Sequence, residues 1–163
     1  MSALAGAGLV YLSGGSPPYL ADTLRGTVVL EAILAAWRGG AALAGCSAGA
    51  CALTAVAIDP GRGADRPGLA VVPELVVLPH FDRIEQWSPG IVERRLNELR
   101  PGQVLLGIDE KTALVGAEGV WRVEGAGHVW VVDTDGARTP HGAGNTPVLP
   151  AAAPGSNPEP SRK

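Results

Sequence analysis

Ala44-Gly45-Cys46-Ser47-Ala48-Gly49-Ala50 is the stretch on which the fold of this chain turns. It holds the pattern G-x-S-x-G, with small residues on both sides of one hydroxyl. A short apolar run, Ala41 to Gly45, precedes it, and Ala48 to Ile58 reads as a helix stopped by Asp59-Pro60-Gly61. A side chain on a sharp strand-to-helix turn needs small neighbours, because the backbone there is strained and closely packed. Such a turn exposes the Ser47 hydroxyl and aims the Ala48 N–H at an incoming carbonyl oxygen, and the helix start favours developing negative charge. In a chain this rich in Gly and Ala, the bare motif fits a tight helix-packing turn equally well. The strand before it and the helix after it favour a nucleophile.

On the N-terminal side, Gly8-Leu9-Val10-Tyr11-Leu12 reads as a buried strand ended by Ser13-Gly14-Gly15-Ser16-Pro17-Pro18. Tyr19 to Arg38 carries apolar residues at helical spacing, with Thr23 or Thr27 as a start and Gly39-Gly40 as the stop. On the C-terminal side, Leu75-Val76-Val77-Leu78 is a β-branched strand closed by Pro79-His80. Ile91 to Leu99 is amphipathic, and Val104 to Ile108 is a further buried strand. Thr112 to Val115, Gly119 to Val123 and His128 to Asp133 suggest an antiparallel meander or edge strands.

Alternating strands and helices predict an α/β domain, residues 1–136, with a mainly parallel sheet and helices on both faces. Active groups in such sheets sit past the carboxyl ends of strands. Ser13-Gly14-Gly15, Ser47, His80 and Asp109-Glu110 all fall there.

A serine nucleophile needs a base, and the chain has three histidines. His80 follows the clearest strand and is the expected general base. His128, inside an apolar run, reads as structural, and His141 as solvated. The base needs a carboxylate to fix its tautomer. Asp109 and Glu110 end the next strand, and Glu110 is the preferred member. Asp82, Asp59 and Asp65 are the alternatives. Gly14-Gly15 offer a second backbone N–H to the oxyanion. Arg83, close to His80, is the candidate for a substrate carboxylate, whereas Arg94 and Arg95 read as a solvated helix face. Cys46 is expected to be buried rather than reactive. No Cys/His cluster has metal-site spacing and no phosphate-loop pattern occurs, so neither metal nor cofactor is implied.

The 163 residues suit one domain with a real core, and that core must be aliphatic, since 46% of residues are apolar but only 4% aromatic. A net charge of −3 without a basic stripe argues against nucleic acid as a partner. No apolar run reaches the roughly 18 residues of a membrane span, and the N-terminus lacks a basic secretory start. Cys46 and Cys51 do not make a disulfide scaffold, so a cytoplasmic setting is the default. From about Ala137 to Lys163, Gly, Pro, Ala, Asn and Ser dominate without periodicity, which predicts a disordered tail.

Four blocks together resemble the dipeptidase E and cyanophycinase family of serine peptidases. In the family's order they are Tyr11-Leu12-Ser13-Gly14-Gly15, Ala44 to Ala50, Leu78-Pro79-His80-Phe81-Asp82-Arg83, and Gly107-Ile108-Asp109-Glu110-Lys111-Thr112-Ala113-Leu114. The likeness runs from about Leu9 to Val132. It implies a flavodoxin-like fold similar to class I glutamine amidotransferase domains, with Ser in place of Cys at the elbow. It further implies Ser47 as nucleophile, His80 as base, Glu110 as the acid of the cyanophycinase branch, and Gly15 and Ala48 as oxyanion positions. Acyl-enzyme hydrolysis of a small peptide, without cofactor, follows from the same likeness.

The chain departs from that family in two places. It starts almost on the block at Leu9, which suggests that a first strand and helix are missing; an exposed sheet edge would then make a homodimer available. Ser16-Pro17 and Leu78-Pro79 stand where the cyanophycinase branch has polar residues, so cyanophycin itself is not the expected substrate. Two other readings stay open: a non-catalytic binding domain of the same fold, and an esterase or acyltransferase using the same triad.

Overall fold

Apolar runs too short to stand alone become strands here because helices close over them. The computed structural model describes residues 4–61, 64–117 and 119–149. Strand β1 (Leu9–Leu12) leads into helices α1 (Pro17–Leu24) and α2 (Val28–Arg38), then β2 (Ala42–Gly45) and α3 (Ala48–Leu53). Two short strands, β3 (Val56–Ala57) and β4 (Arg66–Pro67), precede β5 (Leu75–Pro79), α4 (Phe81–Trp87) and α5 (Ile91–Asn97). Five strands complete the described chain: β6 (Val104–Ile108), β7 (Thr112–Ala117), β8 (Val120–Gly125), β9 (Val129–Val132) and β10 (Arg138–His141).

The apolar period from Tyr19 to Arg38 is split between two helices. Gly26, at φ +68°, breaks it, and a new helix starts where the Thr27 Oγ1 accepts the Leu30 N–H at 3.2 Å. The Ser47 helix is shorter than its sequence suggests. It stops at Thr54, whose hydroxyl donates to the Cys51 carbonyl at 2.9 Å, and Val56–Ala57 pair with β4.

The fold is a mixed α/β arrangement with parallel pairing at its functional end. Strand β1 runs parallel to β2 and β5 parallel to β6, whereas β6–β9, β9–β10, β7–β8 and β3–β4 are antiparallel. The expectation of a mainly parallel sheet is therefore met only in those two pairs. The stretch from β6 to β9 is taken up by the β7–β8 hairpin and holds no crossover helix, and β9 returns to β10 through a short turn, so neither neighbour is parallel. Strand β5 is buried on both sides: Leu75, Val76, Val77 and Leu78 are each at most 4% exposed. Val76 and Leu78 meet Ile84 of α4 and Ile91 of α5, while Leu75 and Val77 pack with Val123 and Val129. On β1, Val10 and Leu12 turn inward to Ala21 and Ile33, while Leu9 and Tyr11 on the other face stay more than half exposed.

Two sequence expectations need correction here. The chain does not become tail at Ala137: Arg138–His141 pair with β9, the Val123 N–H donates to the Asn145 carbonyl at 2.9 Å, and Leu149 is buried against Val123 and Val129. The rest of the expected tail, 150–163, lies outside the described residues. Nor is Arg95 on a solvated face. It sits on the same side of α5 as Ile91 and is buried, paired with Asp65 and, at 2.9 Å, with Glu98. Burying a guanidinium is tolerable only with such partners, since removing one leaves an uncompensated charge. Arg94 reaches the Ser88 hydroxyl at 3.0 Å.

Candidate active site

The Ser47 turn is built by two glycines that no other residue could replace without moving backbone. A Cβ on Gly45 would lie 2.5 Å from the carbonyl carbon of Gly49, and one on Gly49 would lie 2.1 Å from the Leu12 carbonyl oxygen. The elbow therefore packs main chain on main chain against β1. Hydrogen bonds fasten it there: Cys46 N–H to Leu12 O at 2.9 Å, and Gly49 N–H to Ser13 O at 3.1 Å. Ser47 itself sits at φ +52°, ψ −109°, a conformation that costs a non-glycine residue about 1–3 kcal/mol. The strain projects its hydroxyl off the sheet end, over the start of α3.

His80 is likewise held in a left-handed conformation, at φ +53°, ψ +41°. Its carbonyl accepts the Arg83 and Ile84 N–H groups at 2.8 and 2.7 Å, so the backbone turns from β5 directly into α4. That turn carries the imidazole back across the sheet end. Its Nε2 lies 3.0 Å from Ser47 Oγ, and its Nδ1 lies 3.3 Å from Glu110 Oε1. The Trp87 ring stands beside it, 5.6 Å between centroids and tilted by 56°.

Glu110 reaches His80 from the turn after β6. The Glu110 N–H donates to Asp82 Oδ1 at 3.0 Å, and Arg83 Nε lies 3.7 Å from Asp82 Oδ2 and 4.0 Å from Glu110 Oε2. Asp109, its neighbour, points the other way. Its carboxylate accepts the His128 N–H at 2.9 Å and the Trp130 indole N–H at 3.0 Å, fastening β6 to β9.

The alternative acids are all engaged elsewhere. Asp82 supports the Glu110 main chain, the Asp59 carboxylate accepts the Gly61 N–H at 2.8 Å, and Asp65 pairs with Arg95. Of the three histidines, only His80 faces Ser47. His128 Nδ1 lies 3.6 Å from Asp109 Oδ2, and His141 belongs to β10.

Gly14, Gly15 and Ala48 also come to Ser47. Gly15, at φ +129°, and Ala48 line a cavity of about 150 Å³ together with Ser47 and His80. Ala48 is the first residue of α3, a position whose N–H has no partner within its own helix. Arg83 does not line this cavity. It borders a separate cavity of about 360 Å³, on the far side of α4, with Phe81, Trp130 and Arg138. That larger space contains neither Ser47 nor His80. Cys46 is exposed, contrary to expectation, while Cys51 is buried; burial pushes the Cys51 thiol up to about 12, leaving it inert.

Sequence reasoning missed the roles of Asp82 and Trp87. From sequence alone Asp82 reads only as an alternative carboxylate for the His80 ring, two residues before it. Trp87 closes a seven-residue helix too short to show a period.

A strained serine at a strand–turn–helix elbow, in line with an imidazole and a carboxylate, defines the nucleophile-elbow class of α/β proteins. The chain belongs to peptidase family S51, the dipeptidase E and cyanophycinase family, whose model matches residues 1–123. It is similar to the crystal structure of a peptidase from an acI-B1 Actinobacterium, with a TM-score of 0.76 and 34% identity. That similarity covers 90% of this chain and 61% of the other, so the chain spans less than two thirds of that relative's length. Among curated proteins none matches. Among the described residues, no helix is long and apolar enough to cross a membrane.

Proposed function

We propose that the chain is a serine peptidase that hydrolyses small peptides through Ser47, His80 and Glu110. The observation that carries this reading is the line of contacts, 3.0 Å from Ser47 Oγ to His80 Nε2 and 3.3 Å from His80 Nδ1 to Glu110. In this mechanism Ser47 Oγ attacks the scissile carbonyl carbon while its proton passes to His80 Nε2. Charge on the carbonyl oxygen is met by the N–H groups of Ala48 and Gly15, each such donor contributing on the order of 3–4 kcal/mol to the transition state. His80 then gives the proton to the departing amine, and the acyl group remains on Ser47. A water molecule, deprotonated by the same imidazole, releases it. Glu110 accepts the Nδ1–H throughout and stabilises the imidazolium.

Finer expectations belong to the same proposal. The two parallel pairs, with α3 packed against both β2 and β5, support a flavodoxin-like, glutamine amidotransferase-like sheet. Two free cysteines support a cytoplasmic setting. The open face of β1, with Leu9 and Tyr11, supports a homodimer, which would show as a doubled mass in light scattering.

The test is a dipeptide library incubated with the purified chain and read by mass spectrometry. Release of free amino acids is the expected result. Turnover of activated esters with no dipeptide cleaved would instead favour the esterase or acyltransferase reading.

A further inference from the structure

Apart from Ser47, His80 and Cys51, the cavity beside Ser47 is lined by apolar residues. Leu78 of β5, Ile84 of α4, Ile91 of α5 and Ile58 after β3 all face it, each at most 3% exposed. All four belong to a single core cluster, so this part of the wall is packed interior, and Gly15 and Pro60 of the connecting segments complete it. At the rim, Trp87 is 57% exposed while its ring flanks His80. An exposed indole at such a mouth gains by covering an apolar group.

Resting on the serine peptidase reading, we infer that this cavity receives a neutral aliphatic side chain, of leucine or methionine size, from the residue next to the scissile bond. Three observations converge on that class. The volume, about 150 Å³, is that of an apolar cavity able to hold a benzene-sized group. Among the described lining residues there is no Asp, Glu, Lys or Arg, and His80 is engaged by Ser47 and Glu110. An aspartate or arginine side chain entering here would lose its water with no charged partner to replace it. Finally, Cys51 on the same wall is itself buried, and that burial pushes its thiol up. Arg83, the expected anchor for a carboxylate, lies in the other cavity, which removes the one cation that sequence had placed here.

The test has two arms. In the first, kcat/KM is measured for Leu-Ala and Ala-Leu, for Asp-Ala and Ala-Asp, and for Arg-Ala and Ala-Arg, so that either side of the bond can present the variable residue. In the better orientation the leucine peptide should lead both charged ones by at least about 100-fold, since a single methylene in such a pocket already discriminates by roughly 10–200-fold. Equal or faster cleavage of the aspartyl or arginyl peptide overturns the inference and leaves the triad standing. In the second arm, N-acetyl-leucinamide and N-acetyl-aspartic acid amide are titrated into Ser47→Ala by ligand-observed NMR. Leucinamide should bind at least about tenfold tighter and lose that advantage in Trp87→Asp, a substitution at an exposed position. Equal binding overturns the inference. Selective leucinamide binding in a chain that cleaves no peptide would instead keep the cavity and defeat the catalytic reading.

Discussion

Ser47→Ala should lower kcat for peptide hydrolysis by on the order of 10⁴–10⁶-fold, because the attacking atom is lost and only oriented binding and oxyanion donors remain. Thermal unfolding should hardly move, since Ser47 is a half-exposed residue whose side chain meets no protein group but His80 among the hydrogen bonds described. A companion variant separates chemistry from strain. Ser47→Gly, which relieves the left-handed backbone at φ +52°, should be equally inactive yet more stable, by about 1 kcal/mol. Circular dichroism melts and a peptide-release assay on the three proteins check both claims. Full turnover in Ser47→Ala would remove the nucleophile from the account.

Glu110→Gln should lower kcat by on the order of 10²–10⁴-fold with little change in KM, since the amide keeps the shape but no longer enforces the Nδ1–H tautomer or balances the imidazolium. The carboxylate is 39% exposed and 3.3 Å from the ring, so water can partly take its place, and the loss should fall short of that at Ser47. Asp82→Asn is the informative control. Asp82 acts through the Glu110 N–H, and an asparagine oxygen can still accept that bond. Its loss should therefore stay within about tenfold. Steady-state kinetics on both variants decide; a larger loss at Asp82 than at Glu110 would reassign the acid.

The strand ends that carry the site were legible because each apolar run closes in residues that cannot continue it: Gly45, Pro79-His80 and Asp109. The glycines of the elbow were legible as a pattern, yet the reason for them is non-local, since Gly49 is fixed by the carbonyl of Leu12 in another strand. Helix α4 was missed because it is short and begins on a histidine in a left-handed conformation, for which sequence carries no signal. Other misses did leave traces. Arg95 stands four residues after Ile91, on the buried side of the same helix. Asp135-Gly136 is a turn pair, with Gly136 at φ +87°, and it joins β9 to β10 where composition suggested tail. The preference for parallel pairing failed past β6 because a β-hairpin, β7–β8, fills the stretch before β9 where a crossover helix would be needed.

The most direct measurement is labelling of the purified chain with a fluorophosphonate probe, followed by mass spectrometry of the peptides. The account predicts one adduct, on Ser47, that disappears in His80→Ala. A folded chain that takes no label, or takes it at another residue, would contradict an activated serine at this elbow.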